Sequence, residues 1–413
     1  MSQDKGLAAG RRVVVTGMGI VSPLGCDVEG YWQAILAGQS GVTRMPAFDH
    51  IADLGARIAG PVRDFTPERI PRKLRRSMSR MSQYAHAATA DAISQSRLGE
   101  ALLTGGRVAI AAGSTTGSPD AMEEFWTEYL GTHSIRGILS TSFLRVMSHT
   151  VASHLALAFG VTGPVHAPCC ACAASNQAIG LGLDLIRLGR ADVVIAGGAD
   201  ELSVLSAATF DVVRAGCRGH EDAPTTRPAP FDRTRDGVVC AEGAAIVILE
   251  ERAYALARGA PILAEVLGYG ESCDASHMST PAVGGMKRAM ERALEDAHLT
   301  PADIDHVNAH ATGTDVGDAT EAEATWSLYG DGIPVASLKG HLGHMLAACG
   351  AAEVIAVIQS IRDGVVPATL NLRDPDVAPL WLPQAPLPRV LTHVMSNNFA
   401  FGGINASLVI GRA

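Results

Sequence analysis

Short apolar runs rich in β-branched residues alternate along this chain with longer stretches that mix apolar and polar positions. Val13-Val14-Val15-Thr16, Val108-Ala109-Ile110, Val193-Val194-Ile195 and Ala245-Ile246-Val247-Ile248 read as strands apolar on both faces, as strands buried on both faces must be. Residues 286–297 carry apolar side chains at helical spacing. The alternation predicts an α/β fold with sheets buried between helices. Glycines at strand ends, Gly17, Gly19, Gly197, Gly198, Gly402 and Gly403, predict tight turns where the backbone approaches itself or a ligand. Residues 252–259 read as a short helix before a new strand at Ile262, which predicts two halves, 1–258 and 259–413. Residues 218–235, with three prolines, read as a surface excursion.

Composition adds an expectation of assembly. Charged residues make up 18% of the 413, against about 25% in ordinary soluble domains, so part of the surface is expected to be covered by a partner subunit. A formal net charge of −9 argues against a general nucleic-acid binder, which needs a broad basic face. Residues 146–183 contain no Asp, Glu, Lys or Arg, but Pro164, Pro168, His149, His154 and His166 interrupt them, so they read as core and subunit contact, without membrane insertion. Eight cysteines, three crowded into residues 169–172, form a reduced-thiol pattern. Residues 1–12 carry no apolar segment of the secretory type, and the expected location is the cytoplasm.

The crowded cysteines stand where a strand-like stretch gives way to a helix that runs to Ile186 and stops near Gly189. A thiol at a helix N-terminus meets unpaired amides and the positive end of the dipole, which favours thiolate. Cys172 is closest to the helix start and is the candidate nucleophile, while Cys169 and Cys170 are assigned to packing. Packing and metal binding are the alternatives for the cluster, and no Cys or His pair stands at finger spacing. His306 and His310 are four apart, and His341 and His344 three apart, but the first pair lies on a strand running into a turn. No metal is expected. Gly17-Met18-Gly19 has Ser22 where a dinucleotide loop needs its third glycine, so no nucleotide or other cofactor is expected.

Five segments in order carry a resemblance. They are residues 13–25, Ala171-Cys172-Ala173, Val307-Asn308-Ala309-His310-Ala311-Thr312-Gly313-Thr314, Lys339 with Gly343-His344, and Ser396-Asn397-Asn398-Phe399-Ala400-Phe401-Gly402-Gly403-Ile404-Asn405. Over nearly its whole length the chain resembles the elongating β-ketoacyl-acyl carrier protein synthases, types I and II. The resemblance implies the thiolase fold: duplicated βαβ-rich halves in a five-layered α/β/α/β/α arrangement. It also implies decarboxylative condensation of an acyl group on Cys172 with malonyl-acyl carrier protein, in fatty acid, polyketide or polyene biosynthesis. By the same resemblance His310 and His344 support decarboxylation, and Lys339 orders the second histidine. Asp318 and Glu353 hold the network, and Phe399 is the gating residue whose amide joins that of Cys172 in an oxyanion hole.

The residue types suit that chemistry. Thiolate is both a soft nucleophile and a good leaving group, and two neutral imidazoles can donate to the oxygen of a developing enolate. Arg69, Arg72, Lys73, Arg75, Arg76 and Arg80 form a basic cluster in an acidic chain, readable as a solvated face or as a dock for an acidic partner. The resemblance favours docking of acyl carrier protein, in acyl and malonyl forms, on Arg72, Lys73, Arg76 and Arg214.

Ala400 stands where the family usually has glycine, and its Cβ is expected to restrict the gating loop. A noncatalytic chain-length factor would lack the nucleophile, a starter-type enzyme would pair Cys with His and Asn, and a thiolase would place a second cysteine after Cys349. The expected assembly is a homodimer, with a heterodimer containing a chain-length-factor-like subunit as the alternative.

Overall fold

The computed structural model describes residues 10–413. The expectation drawn from residues 1–12 falls largely outside the described residues. Ten strands form the main sheet: β1 (Val13–Val21), β2 (Val108–Gly113), β3 (Val165–His166), β4 (Val193–Asp200), β5 (Gly243–Glu251), β6 (Ala264–Cys273), β7 (His306–Asn308), β8 (Val335–Ala336), β9 (His393–Ala400) and β10 (Ile404–Gly411). Their order is β8-β7-β9-β10-β6-β1-β5-β4-β2-β3. Adding five to each strand of the run β3-β2-β4-β5-β1 reproduces β8-β7-β9-β10-β6, and the strand directions repeat as well. The fold is therefore duplicated, and β1 pairs antiparallel with β6 at the seam.

Five helices complete the layers: α1 (Arg80–Ser96), α2 (Ala174–Arg187), α3 (Val283–Ala297), α4 (Asp315–Tyr329) and α5 (Cys349–Asp363). The first packs on one side of the first half-sheet, and α3 on the outer side of the second. Between the half-sheets lie α2 and α5. Residues 349–361 of α5 are buried without a break, as an inner-layer helix enclosed on all sides must be. This is the thiolase-type arrangement of alternating helix and sheet layers; the four apolar runs read as strands each lie within an observed strand, while the strand expected at Ile262 begins at Ala264.

Two expectations change. Gly17 and Gly19 lie inside β1, and Gly197 and Gly198 inside β4, not at turns, and the first two admit the backbone of α1. A Cβ at Gly17 would stand 2.1 Å from the Ala92 carbonyl oxygen, and one at Gly19 would stand 1.9 Å from that of Ala88. Residues 218–235 are also no mere excursion, because Phe231 is fully buried and its N–H donates to Asp318 Oδ2 at 2.8 Å. One anchored aromatic fixes a segment whose composition otherwise reads as loop.

Candidate active site

The two inner helices begin alike. Each is preceded by a 3₁₀ turn, Ala171–Ala173 before α2 and Leu346–Ala348 before α5, and each turn opens on a non-glycine residue in the left-handed region. Ala171 has φ 48° and Leu346 φ 52°, sparsely populated conformations that the surrounding packing must hold. The first elbow carries Cys172, and the second begins two residues after His344.

The elbows bring Cys172 Sγ to 3.0 Å from His344 Nε2. On the other side of the ring, Nδ1 accepts the Leu346 N–H at 2.9 Å. A backbone N–H can only donate, so Nδ1 is the bare nitrogen and the neutral ring carries its proton on Nε2, toward the thiol. The main chain of His344 is fixed by its N–H to Val239 O, at 2.7 Å, and by the Ala241 N–H to its carbonyl, at 2.8 Å.

His310 follows β7 and faces His344 edge to face, with ring centroids 5.3 Å apart. Its N–H donates to Glu321 Oε1 at 2.8 Å, and the Ala311 N–H donates to Oε2 at 2.7 Å. The Asn398 Nδ2 amide donates to His310 Nδ1 at 3.1 Å and to Glu353 Oε2 at 2.9 Å, so His310 also keeps its proton on Nε2. Lys339 is buried, bonds to Glu353, and donates to the His310 carbonyl at 3.0 Å. The lysine thus supports the first histidine, not the second as expected, because Glu353 draws its ammonium beneath the His310 main chain.

Asp318, on α4, collects the N–H groups of Phe231, Thr312, Gly313 and Thr314 and so pins the loop after His310. Sequence reading missed Glu321, Asn398 and Asp200. The first stands three residues after Asp318 on the same face of α4, a spacing visible in the sequence. Asp200 ends β4 and accepts the Ala347 N–H at 2.8 Å and the Thr115 hydroxyl at 2.7 Å, which ties the second elbow to the first half.

Burial dominates the electrostatics. It pushes the Cys172 thiol up to about 12, with Lys339 and the residue's own N–H pulling the other way. The thiolate expected at a helix N-terminus is therefore not the resting form, since desolvation of a buried sulfur outweighs the partial charge of the helix end. Burial first, and the Lys339 charge second, hold His310 and His344 well below their ordinary value, so both rings rest neutral. Burial also raises Asp200 to about 7 despite its donors.

These groups open onto a cavity of about 380 Å³ lined by Cys172, His310, His344, Phe399, Phe401 and Arg214 among others. The Phe399 ring is buried in its wall, with its centroid 6.3 Å from that of His310. Ala400 does not take positive φ. The left-handed residues of this loop are Gly402, φ 86°, and Gly403, φ 72°, so the restriction expected from a Cβ at 400 does not arise.

Cys170 is buried against Gln177, whereas Cys169 is exposed and bonds to the Thr115 carbonyl, so only the former fits the packing assignment. Cys172, His310 and His344 offer three donor atoms within 4.8 Å of one another, a spacing that can hold a soft metal ion. Cys217, His220 and Asp236 do the same, but Arg227 already occupies Asp236 at 3.1 Å.

Arg72, Lys73 and Arg76 are exposed, and among the described residues none of them joins an ion pair. By contrast Arg75 pairs with Glu68, and Arg80 with Asp120 and Glu242. Arg214 stands apart from that group, at the cavity wall.

Residues 10–255 match the family Beta-ketoacyl synthase, N-terminal domain, and residues 263–373 match Beta-ketoacyl synthase, C-terminal domain. The chain belongs to the beta-ketoacyl synthase family. It is 37% identical to 3-oxoacyl-[acyl-carrier-protein] synthase 2 of Vibrio cholerae serotype O1, over 97% of this chain and 99% of that protein. Among solved structures it is similar to a beta-ketoacyl synthase from Burkholderia phymatum STM815, with TM-score 0.94 and 40% identity over 98% of this chain and 100% of the other. It is also similar to the ishigamide ketosynthase/chain length factor, with TM-score 0.91 and 35% identity over 98% and 100%. The thiolase fold and the condensing-enzyme class follow for this family member.

Proposed function

We propose that this chain is an elongating β-ketoacyl-[acyl carrier protein] synthase. Cys172 Sγ attacks an acyl carrier thioester, the acyl group moves to sulfur, and the carrier thiol leaves with the proton. Malonyl-acyl carrier protein then loses carbon dioxide, and the resulting carbanion attacks the Cys172 thioester, which releases β-ketoacyl carrier protein and returns the cysteine. The observation that carries this reading is the pair of neutral imidazoles, each with its proton on Nε2, beside Cys172 Sγ. Such donors stabilise an enolate oxygen as its charge develops and cost no rearrangement at that moment. The amides of Cys172 and Phe399 serve as the oxyanion hole for the acyl carbonyl.

Intact-mass analysis of the protein mixed with acyl carrier thioesters should find the acyl group on Cys172. A folded Cys172→Ala variant should form no β-keto product, and product at the parental rate would refute the reading.

The carrier protein docks on Arg72, Lys73 and Arg76, with Arg214 at the pocket mouth. Reversing Arg72 and Lys73 to Glu should raise KM for carrier-bound substrate about tenfold at low salt, because like charges then face each other across the encounter surface. A small pantetheine thioester should not sense the change. An unchanged KM for the carrier substrate rules this surface out.

A second copy of the chain is the proposed subunit partner, seated on the exposed apolar side chains Trp126, Leu130, Ile135, Leu139 and Phe143. The likeness to a ketosynthase/chain length factor pair supports a heterodimer as the second reading, and native mass of the purified chain separates the two. The same reading divides the chain into halves 1–258 and 259–413 and places the protein in the cytoplasm. No helix among the described residues is long and apolar enough to cross a membrane.

A further inference from the structure

Cys349 opens α5 five residues after His344, and its buried Sγ lies 3.2 Å from His344 Nδ1. That nitrogen already accepts the Leu346 N–H, so two groups converge on one lone pair while Nε2 faces Cys172. An acceptor nitrogen makes the thiol the donor, while the Met345 N–H points at the sulfur itself and leaves the S–H free for the ring. Burial, the largest influence, outweighs the Lys339 charge and, with the Glu353 carboxylate adding to it, keeps this thiol protonated, as a donor must be.

We propose that Cys349 is a positioning residue for His344: its S–H, with the Leu346 N–H, closes Nδ1 to protonation and keeps the ring proton on Nε2. The inference rests on the role given to His344 above. A second proton can enter the neutral ring only at Nδ1, and its arrival displaces both donors. The Leu346 N–H is set by a backbone held at φ 52° and cannot turn away cheaply. The S–H provides a second barrier that a residue without a donor removes.

The test is the pH dependence of malonyl-acyl carrier protein decarboxylation. Cys349→Ala should move the acid limb upward by about half to one pH unit, the size expected for losing one neutral hydrogen bond to the deprotonated ring. Cys349→Val fills the space without a donor and should shift the limb in the same direction, while Cys349→Ser restores a donor and should return the limb toward the parent. An unmoved limb in both the Ala and Val variants overturns the inference, and so does a Ser variant that behaves like Ala. His344→Ala, assayed alongside, separates the two failures. If that variant decarboxylates at the parental rate, the reading of the site is wrong. If it is slow while Cys349→Ala keeps the parental profile, only the role of Cys349 is lost.

Discussion

Glu353→Ala is expected to lower the stability of the protein by about 3–5 kcal/mol, the usual cost of stripping one partner from a buried ion pair. Lys339 and Glu353 are each about 1% exposed and bond to each other within the central layer. Burial is the largest influence on Lys339 and opposes its charge, but the surrounding groups, Glu353 foremost, together outweigh it and leave the ammonium above its ordinary range. Without the carboxylate, a full positive charge sits in an apolar layer, and the Asn398 amide loses the acceptor that orients it toward His310. The double variant Lys339→Met with Glu353→Leu should recover much of the stability, because an apolar pair of similar volume does not carry the desolvation cost. It should not recover decarboxylation, since the His310 carbonyl and Nδ1 remain unsupported. Urea unfolding of the single and double variants checks the first claim. Equal losses in both would mean that the pair is not the source of the effect.

His310→Ala and His344→Ala should each slow malonyl decarboxylation by about 10²–10³-fold, the typical effect of removing one preorganised donor from a developing oxyanion. Both should still accept an acyl group on Cys172, because neither ring is itself acylated. Release of labelled carbon dioxide, set against intact mass of the acylated protein, separates the two steps. The parental enzyme should also show no loss of decarboxylation as pH falls through the ordinary histidine range near 6.5. A ring held well below its free value by burial takes up its proton only at lower pH, so its neutral donor form persists through that range. An acid limb centred near 6.5 would contradict the neutral, buried placement of the rings.

Much of this architecture could be read before any coordinates. The buried strands declare themselves, because a strand covered on both faces must be apolar at consecutive positions, as the fully buried β1, β4 and all but the last residue of β5 are. Cys172, His310, His344 and Lys339 stood out as candidates within short motifs, whereas Asp318 and Glu353 were expected only through the family resemblance. What a linear pattern cannot carry is which partner a buried polar group takes. Lys339 was expected on the second histidine and sits under the first, and Glu321 and Asn398 gained their roles only when α4 and β9 came together around His310. Protonation states escaped for the same reason. The helix end near Cys172 is visible in the chain, but the desolvation that outweighs it arises only when two half-sheets close over the sulfur. Local sequence thus determined the elements, through backbone geometry and apolar periodicity, and marked the candidate reactive side chains. Tertiary packing decided the network and its charges, because burial and long-range hydrogen bonds are properties of the assembled layers.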